Sequence, residues 1–195
     1  MGTNTGTYFF DALTKAIRQG ITPKKSKAST EWLRNHAMGI EKMNRSEFTK
    51  VRTLSHSPNQ MEIGNMYLFN YDPKHKKTLD VYDTFPLIFP FSMQKDRFYG
   101  INMHYLKPLD RARLMDALHS IANNDKYDRT TKLEISWQVI KQAAKGKRYE
   151  ETVHCYLKKH VKSAMKYIEP LSWDYVLLLP LSRFKGPKAG NYAGH

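Results

Sequence analysis

Residues 64–118, GNMYLFNYDPKHKKTLDVYDTFPLIFPFSMQKDRFYGINMHYLKPLDRARLMDAL, decide the fold of this chain. Their first part is rich in aromatic and aliphatic residues, which favour the pleated surface of a sheet. Residues 66–71 alternate between two sets of side chains, as the two faces of a strand require. Asp72-Pro73 then predicts a turn, so we expect a first strand followed by a hairpin tip.

Prolines and a glycine shape the two strands that follow. Pro86 and Pro90 cannot donate to a strand ladder, so the strand predicted at 81–91 should be an edge strand or bent. Gly100, within a strand predicted at 98–106, indicates a bulge or a close approach of another backbone. Three short, strongly twisted antiparallel strands fit either a small sheet or an SH3-like partial barrel.

Helices are predicted after the strands, which makes the fold class α+β. Pro108 suits the first turn of a helix. A capping-box pattern that begins at Thr131 starts a second helix, which ends at Gly146. Apolar spacing over 150–165 predicts a third helix. The apolar segment WDYVLLLP at 173–180 is either a buried strand or a turn of helix, since periodicity does not separate the two.

Two short helices are predicted before the strands. Gly20 ends the first, and the second begins at Glu31 with Ser29 or Thr30 as its cap. Four apolar residues are expected to share one face of the first helix: Phe9, Phe10, Leu13 and Ile17.

The charges divide the chain into three segments. Residues 1–60 carry ten basic and four acidic residues, residues 61–106 carry five of each, and residues 107–195 carry seventeen basic and nine acidic, for a net charge of +14. We predict a basic N-terminal arm of short helices (1–60), an aromatic β core (61–106) and a helical part with a basic surface and an extended tail (107–195). The last two should pack together as one domain.

Several classes of protein are disfavoured. The one cysteine, Cys155, rules out an internal disulfide. The first thirty residues lack the apolar region of a secretory signal, and the longest apolar runs are too short to span a bilayer. No membrane partner is therefore expected.

No catalytic residue, metal site or cofactor is predicted. His154, Cys155 and His160 lack the spacing of metal ligands on a helix, and Cys155 is expected to be an inert thiol in a helix core. His104 is expected to be satisfied by hydrogen bonds at the edge of the sheet. Four carboxylates beside lysines resemble a metal-dependent nuclease, but they are interpreted as flanking or turn residues: Asp72, Asp80, Asp83 and Asp96.

Basic runs are the strongest functional signal, because lysine and arginine neutralise phosphates without reading sequence. Tyr149 is predicted to stack on an unpaired base at a strand end. The predicted contacts to DNA or another polyanion are Lys24, Lys25, Lys27, Arg34, Lys145, Lys147, Arg148, Lys158, Lys159 and Lys162. Lys158, Lys159 and Lys162, with Lys166, are expected to line one helix.

Several segments resemble a family of small virion proteins of T-even-like tailed phages, commonly called DNA end protector proteins. They are GNMYLFNYDPKHKKTL at 64–79, YDTFPLIFPF at 82–91, FYGINMHYLKP at 98–108, RARLMDAL at 111–118 and RFKG at 183–186. TTKLEISW at 130–137, HVKS at 160–163 and WLRN at 32–35 also match. The resemblance implies a phage structural protein that guards the end of the packaged genome.

Our leading hypothesis is a non-enzymatic virion protein whose basic segments bind double-stranded DNA ends. It would also contact other virion proteins, could form a homo-oligomer in the particle, and would reside in the host cytoplasm during assembly. The alternative is a structural adaptor of the tail, neck or baseplate, in which the same lysines contact acidic protein surfaces. A nuclease is the third hypothesis.

Overall fold

The computed structural model describes residues 7–22, 26–42, 55–179 and 184–188. Within them the helices are α1 (Tyr8–Arg18), α2 (Lys27–Lys42), α3 (Pro108–Ala122), α4 (Arg129–Lys145) and α5 (Trp173–Leu177). The strands are β1 (Ser55–His56), β2 (Met66–Leu68), β3 (Tyr82–Asp83), β4 (Leu87–Met93), β5 (Arg97–Asn102), β6 (Val153–Leu157), β7 (Met165–Ile168) and β8 (Phe184–Lys185). Short 3-10 helices cover Met103–Tyr105, Lys147–Thr152, Lys158–His160 and Pro170–Ser172. The fold class is α+β.

An antiparallel sheet of six strands organises the molecule, in the order β1-β7-β2-β4-β5-β6. Strands β3 and β8 form a separate antiparallel pair. In the described residues β1 and β6 each have one partner strand, so the sheet is open. Of the two architectures that the sequence left undecided, the small antiparallel sheet is the one observed.

Both faces of the sheet are buried. Along β2, Met66 and Leu68 join a core shared with the helices, whereas Tyr67 joins a second, mainly aromatic core on the opposite face. The alternation predicted for this strand is therefore confirmed. In the second core Phe69 packs edge to face on Tyr156 at a ring-centroid distance of 5.4 Å. Such contacts add to the hydrophobic gain from burying both rings.

Strand β4 is central rather than an edge strand, since β2 and β5 flank it. Its register against β5 shifts between Pro90 and Ser92, so a bulge falls where the proline cannot donate. The close approach predicted for Gly100 is confirmed, because a Cβ there would lie 3.1 Å from the backbone carbonyl oxygen of Phe89. The bulge itself is on the neighbouring strand.

The helix predicted over 150–165 is wrong. Val153–Leu157 is strand β6, which pairs with β5, and Met165–Ile168 is strand β7, which pairs with β2 and β1. Val153 packs toward the core shared with the helices, and Tyr156 lies in the aromatic core. The two residues thus occupy opposite faces of a strand rather than one face of a helix. Cys155 is exposed, not buried in a helix core.

The remaining helix predictions hold with shifted ends. Helix α3 begins at Pro108, and α4 ends at Gly146, as expected. The cap of α4 is Asp128, whose side chain accepts from the Thr131 N–H at 2.7 Å, so Thr131 is not the cap. The segment at 173–180 contains a short helix, α5.

The two N-terminal helices contribute to the main core. Phe9 and Leu13 of α1 are buried in it, with Trp32 and Leu33 of α2. Phe10 and Ile17, predicted on the buried face of α1, are 41% and 61% exposed. Helix α2 begins four residues earlier than predicted, after Ser26, whose hydroxyl accepts from the Ser29 N–H. Division of the chain into arm, core and helical part stays a prediction.

Asp116 of α3 caps α1 across the core. Its carboxylate accepts from the N–H groups of Phe9 at 2.7 Å and Phe10 at 3.1 Å, two donors that a helix start otherwise leaves unpaired. We expect Asp116→Ala to lower the free energy of unfolding by about 1–3 kcal/mol, measured by urea denaturation. Asp11→Ala, in the exposed first turn of the same helix, is the control and should cost less than about 1 kcal/mol. Equal effects of the two substitutions would contradict the capping role.

Candidate nucleic-acid interface

Basic residues lie at both ends of the edge strand β6. Those before it are Lys145 at the end of α4 and Lys147 and Arg148 in the following 3-10 helix, which we call the upstream cluster. Those after it are Lys158 and Lys159 in a 3-10 helix and Lys162 beyond it, which we call the downstream cluster.

The spacing of the two clusters suits a DNA backbone. Strand β6 lies between the segments that carry the two clusters, and its five residues extend roughly 17 Å at about 3.3 Å per residue. Because one strand of duplex DNA advances about 3.4 Å per nucleotide, that distance spans about five base pairs. Both clusters could therefore contact phosphates of one duplex at the same time.

The upstream cluster is exposed but partly neutralised. Arg148 Nη1 lies 3.2 Å from the Asp110 carboxylate, and Arg113 Nη1 lies 3.5 Å from the same oxygen. The Asp110 carboxylate thus neutralises only one of the two guanidinium charges beside it. Arg113 is a positive group that was not among the predicted contacts. Lys145 and Lys147 are exposed, with no ion pair in the described residues.

The downstream cluster does not line the long helix that was predicted, because Lys158 and Lys159 lie in a short 3-10 helix that follows the edge strand β6. Lys158 is half-buried, and its Nζ donates to Asn59 Oδ1 at 2.6 Å. Lys159 and Lys162 are exposed. Lys166, predicted to share their face, lies in β7, and three strands lie between β7 and β6.

Tyr149 packs against the protein rather than standing free. Its side chain is half-buried against the core shared with the helices, and burial raises the pKa of its hydroxyl. Tyr149 therefore anchors to the core the 3-10 helix that also carries Lys147 and Arg148. Stacking of Tyr149 on a base stays a prediction.

The N-terminal basic residues lie elsewhere. Lys27 and Arg34 are exposed on α2, and Lys24 and Lys25 fall outside the described residues. Helix α2 lies near β7, since burial and the charge of Lys166 together lower the pKa of His36. Three strands separate β7 from β6, so about four strand spacings, roughly 19 Å, lie between them. The structure does not bring Lys27 and Arg34 to the β6 edge.

Asp83 is a buried strand residue, not the turn residue that the sequence predicted. Its carboxylate accepts from His104 Nδ1 at 2.6 Å, Asn102 Nδ2 at 3.1 Å and the Phe85 N–H at 2.8 Å. Burial raises the pKa of Asp83, but the charge and hydrogen bond of His104, with the other two donors, outweigh it and lower the pKa. The ionised form is thus favoured in the folded protein, so this group stabilises above the unfolded pKa and loses that contribution as the pH falls.

His104 was expected to be satisfied by hydrogen bonds, and only one of its two ring nitrogens is. Its Nδ1 binds Asp83, while its buried Nε2 has no partner in the described residues. The ring lies in a 3-10 helix after β5 rather than at a strand end. The pair holds the small β3 strand against the main sheet.

The other acidic residues that resembled a nuclease each lie beside a base. Asp72 is 2.6 Å from Lys76 Nζ, Asp80 is 2.7 Å from Lys188 Nζ, and the Asp96 carboxylate is 2.9 Å from Arg97 Nη2. In the part of the chain that the structure describes, no three His, Cys, Asp or Glu side chains are placed to hold a metal ion. Nor does that part contain a helix long and apolar enough to cross a membrane.

Comparison with known proteins identifies the family. The model of a family described as "Phage T4 terminal DNA protecting protein" matches residues 9–194. The chain belongs to this family. The match extends from α1 past β8, so it includes the N-terminal helices as well as both basic clusters. No curated protein and no solved structure matches the chain.

Because the chain belongs to a DNA-protecting family, the basic clusters at the two ends of β6 are candidate contacts to DNA. The family is a phage virion family, and it is structural rather than a known group of enzymes. The sequence analysis singled out all six cluster residues, and five of them are exposed, but it assigned the three downstream residues to a helix. Arg113 was missed because it belongs to α3, and its spacing of three from Asp110 was the available signal.

Proposed function

We propose that this protein binds the ends of the packaged duplex genome through the β6 edge and shields them without catalysing a reaction. The observation that carries the proposal is the pair of basic clusters flanking one edge strand in a chain of a terminal DNA-protecting family. The N-terminal basic residues, including Lys27 and Arg34, would extend the contact along the duplex or meet other virion proteins.

The physical basis is charge. Each phosphate that a lysine or arginine neutralises releases condensed counterions, which drives binding without reading the sequence. A bound protein at a terminus also occupies the space that an exonuclease needs at its starting point. Shielding therefore requires occupancy of the end and no chemistry. We further propose that the protein acts in the virion, is present in the host cytoplasm during assembly, and contacts other virion proteins or further copies of itself.

The proposal predicts a preference for open ends. We expect a short linear duplex to bind more tightly than a dumbbell of the same sequence whose ends are closed by hairpin loops, in a fluorescence-anisotropy titration at low salt. The reason is that both DNAs offer the same phosphates while only the linear one offers termini. Bound protein should also slow digestion of the linear duplex by an exonuclease.

Equal affinity for the two DNAs would reduce the function to non-specific binding. Absence of binding to either DNA at low salt would favour the structural adaptor, with the clusters facing acidic protein surfaces. A closed circular DNA serves as a second control, because it lacks both termini and hairpin loops.

A further inference from the structure

A pocket opens beside β6, between the two basic clusters. Its volume is about 370 Å³, within the range of roughly 300–1,000 Å³ that is usual for small-ligand sites. Strand β6 forms one side with residues 154–157, and the turn at 73–79 and strand β3 form the other. The upstream and downstream clusters follow from the two ends of the same strand, so a bound DNA would pass the mouth of the pocket.

Tyrosines form much of the lining. Tyr71 and Tyr156 are 7% and 4% exposed and lie at the base, whereas Tyr82 and Tyr105 are half-buried. The hydroxyls of the two buried tyrosines are already hydrogen-bonded, to the Leu157 N–H and to Asn102 Nδ2. The ring of Tyr105 already packs against His154 and Phe184, at centroid distances of 4.3 and 4.4 Å. Tyr82 is therefore the tyrosine of the lining whose ring offers stacking surface.

One polar atom of the lining lacks a partner. His154 Nε2 is buried and makes no hydrogen bond within the described residues. The same ring bonds the backbone carbonyl of Glu151, and burial lowers the pKa of His154, so the imidazole is neutral with Nε2 as an acceptor. Buried polar atoms are rarely left unpaired, so this nitrogen lacks the hydrogen-bond donor that such an acceptor usually has.

The lining of the pocket also includes one basic residue, Lys74, which is exposed, and the exposed His75 beside it. Three features of the pocket match the three parts of a nucleotide. The ring of Tyr82 suits a flat base, the unpaired acceptor of His154 suits an amino or imino hydrogen of that base, and Lys74 suits the phosphate.

We propose that this pocket receives one unpaired nucleobase at the terminus of a DNA duplex. The inference rests on the proposed function and adds the feature that distinguishes an end from the interior. Phosphates are the same along the whole duplex, so the basic clusters alone cannot recognise a terminus. A paired, stacked base inside the duplex would first have to be pulled out at a cost in free energy, whereas an unpaired terminal base is available. Stacking on tyrosine also tolerates any base, as a protector of ends requires.

The test uses the unmodified protein and two duplexes. Both carry one unpaired nucleotide at one terminus, and in the second duplex that nucleotide is abasic. We expect the abasic duplex to bind about tenfold more weakly, because stacking of one base on aromatic side chains has an effect of that order. Overhangs of either polarity are compared, since the pocket geometry alone does not select the 5′ or 3′ end.

Variants assign the effect to the pocket. Tyr82→Ala, or Leu79→Trp to fill the mouth, should remove most of the difference between the two duplexes. Tyr127→Ala, an exposed tyrosine outside the pocket, should preserve it. Equal binding of both duplexes by the unmodified protein, with linear DNA still preferred over closed circular DNA, would overturn the pocket proposal and leave the proposed function standing. Loss of the linear preference as well would overturn both.

Discussion

Arg111→Met is expected to lower the free energy of unfolding by about 3–5 kcal/mol. Arg111 is 1% exposed, yet its guanidinium touches no carboxylate among the described residues. It donates instead to backbone carbonyls, best to Met103 at 2.9 Å and to Leu179 at 2.8 Å. Longer contacts reach the carbonyls of His104, Val176 and Leu177.

These carbonyls explain why the loss is large. Several belong to the last residues of α5 and the residues after it, where a helix leaves its carbonyls without intrahelical partners. Methionine would fill much of the volume but leave the buried oxygens unpaired. Burial lowers the pKa of Arg111 to about 9, so the guanidinium still carries its charge at neutral pH.

Arg113→Met is the matched control. It makes the same chemical change two residues along the same helix, at a side chain that is about half exposed and pairs with Asp110 at 3.5 Å. Exposed pairs contribute little, so we expect a loss below about 1 kcal/mol. Urea denaturation, monitored by circular dichroism, measures the free energy of unfolding of both variants. A change for Arg111→Met as small as that for the control would show that the carbonyl contacts do not stabilise the fold.

The structure was predicted most accurately from the sequence where a single local signal determines the backbone conformation. Alternating residues in β2 indicated a strand, and proline at position 108 fixed a helix start because its missing N–H is not needed there. Gly100 marked a close backbone approach, since a Cβ there would lie 3.1 Å from the Phe89 carbonyl oxygen. These are local requirements that can be recognised without knowledge of the rest of the fold.

The prediction failed where distant partners decide the structure. Residues 153–157 contain apolar side chains at a spacing compatible with either a helix or a strand, and pairing with β5 selects the strand. Likewise, the burial of Asp83 depends on His104, which lies twenty-one residues away along the chain. The pocket beside β6 could not be predicted either, because β3, β6 and the turn at 73–79 meet only in the folded sheet.

The simultaneous substitution of Lys145, Lys147 and Arg148 by alanine is expected to weaken binding to linear duplex DNA most at low salt. If all three contact phosphates, the slope of log affinity against log salt concentration should fall in magnitude by about two to three units. Arg148 already shares Asp110 with Arg113, so its own share should be the smallest. Titrations at several salt concentrations give the slope directly.

A control with the same loss of charge separates local contact from general attraction. Lys15, Arg18 and Lys126 are exposed, and they lie on α1 and after α3, away from β6. Their joint replacement by alanine removes three positive charges but no contact at the β6 edge, so the slope should change by less than about one unit. If both triple variants reduce the slope equally, the attraction arises from the net charge of +14 and not from the β6 edge. A reduction confined to the first variant assigns the phosphate contacts to the upstream cluster.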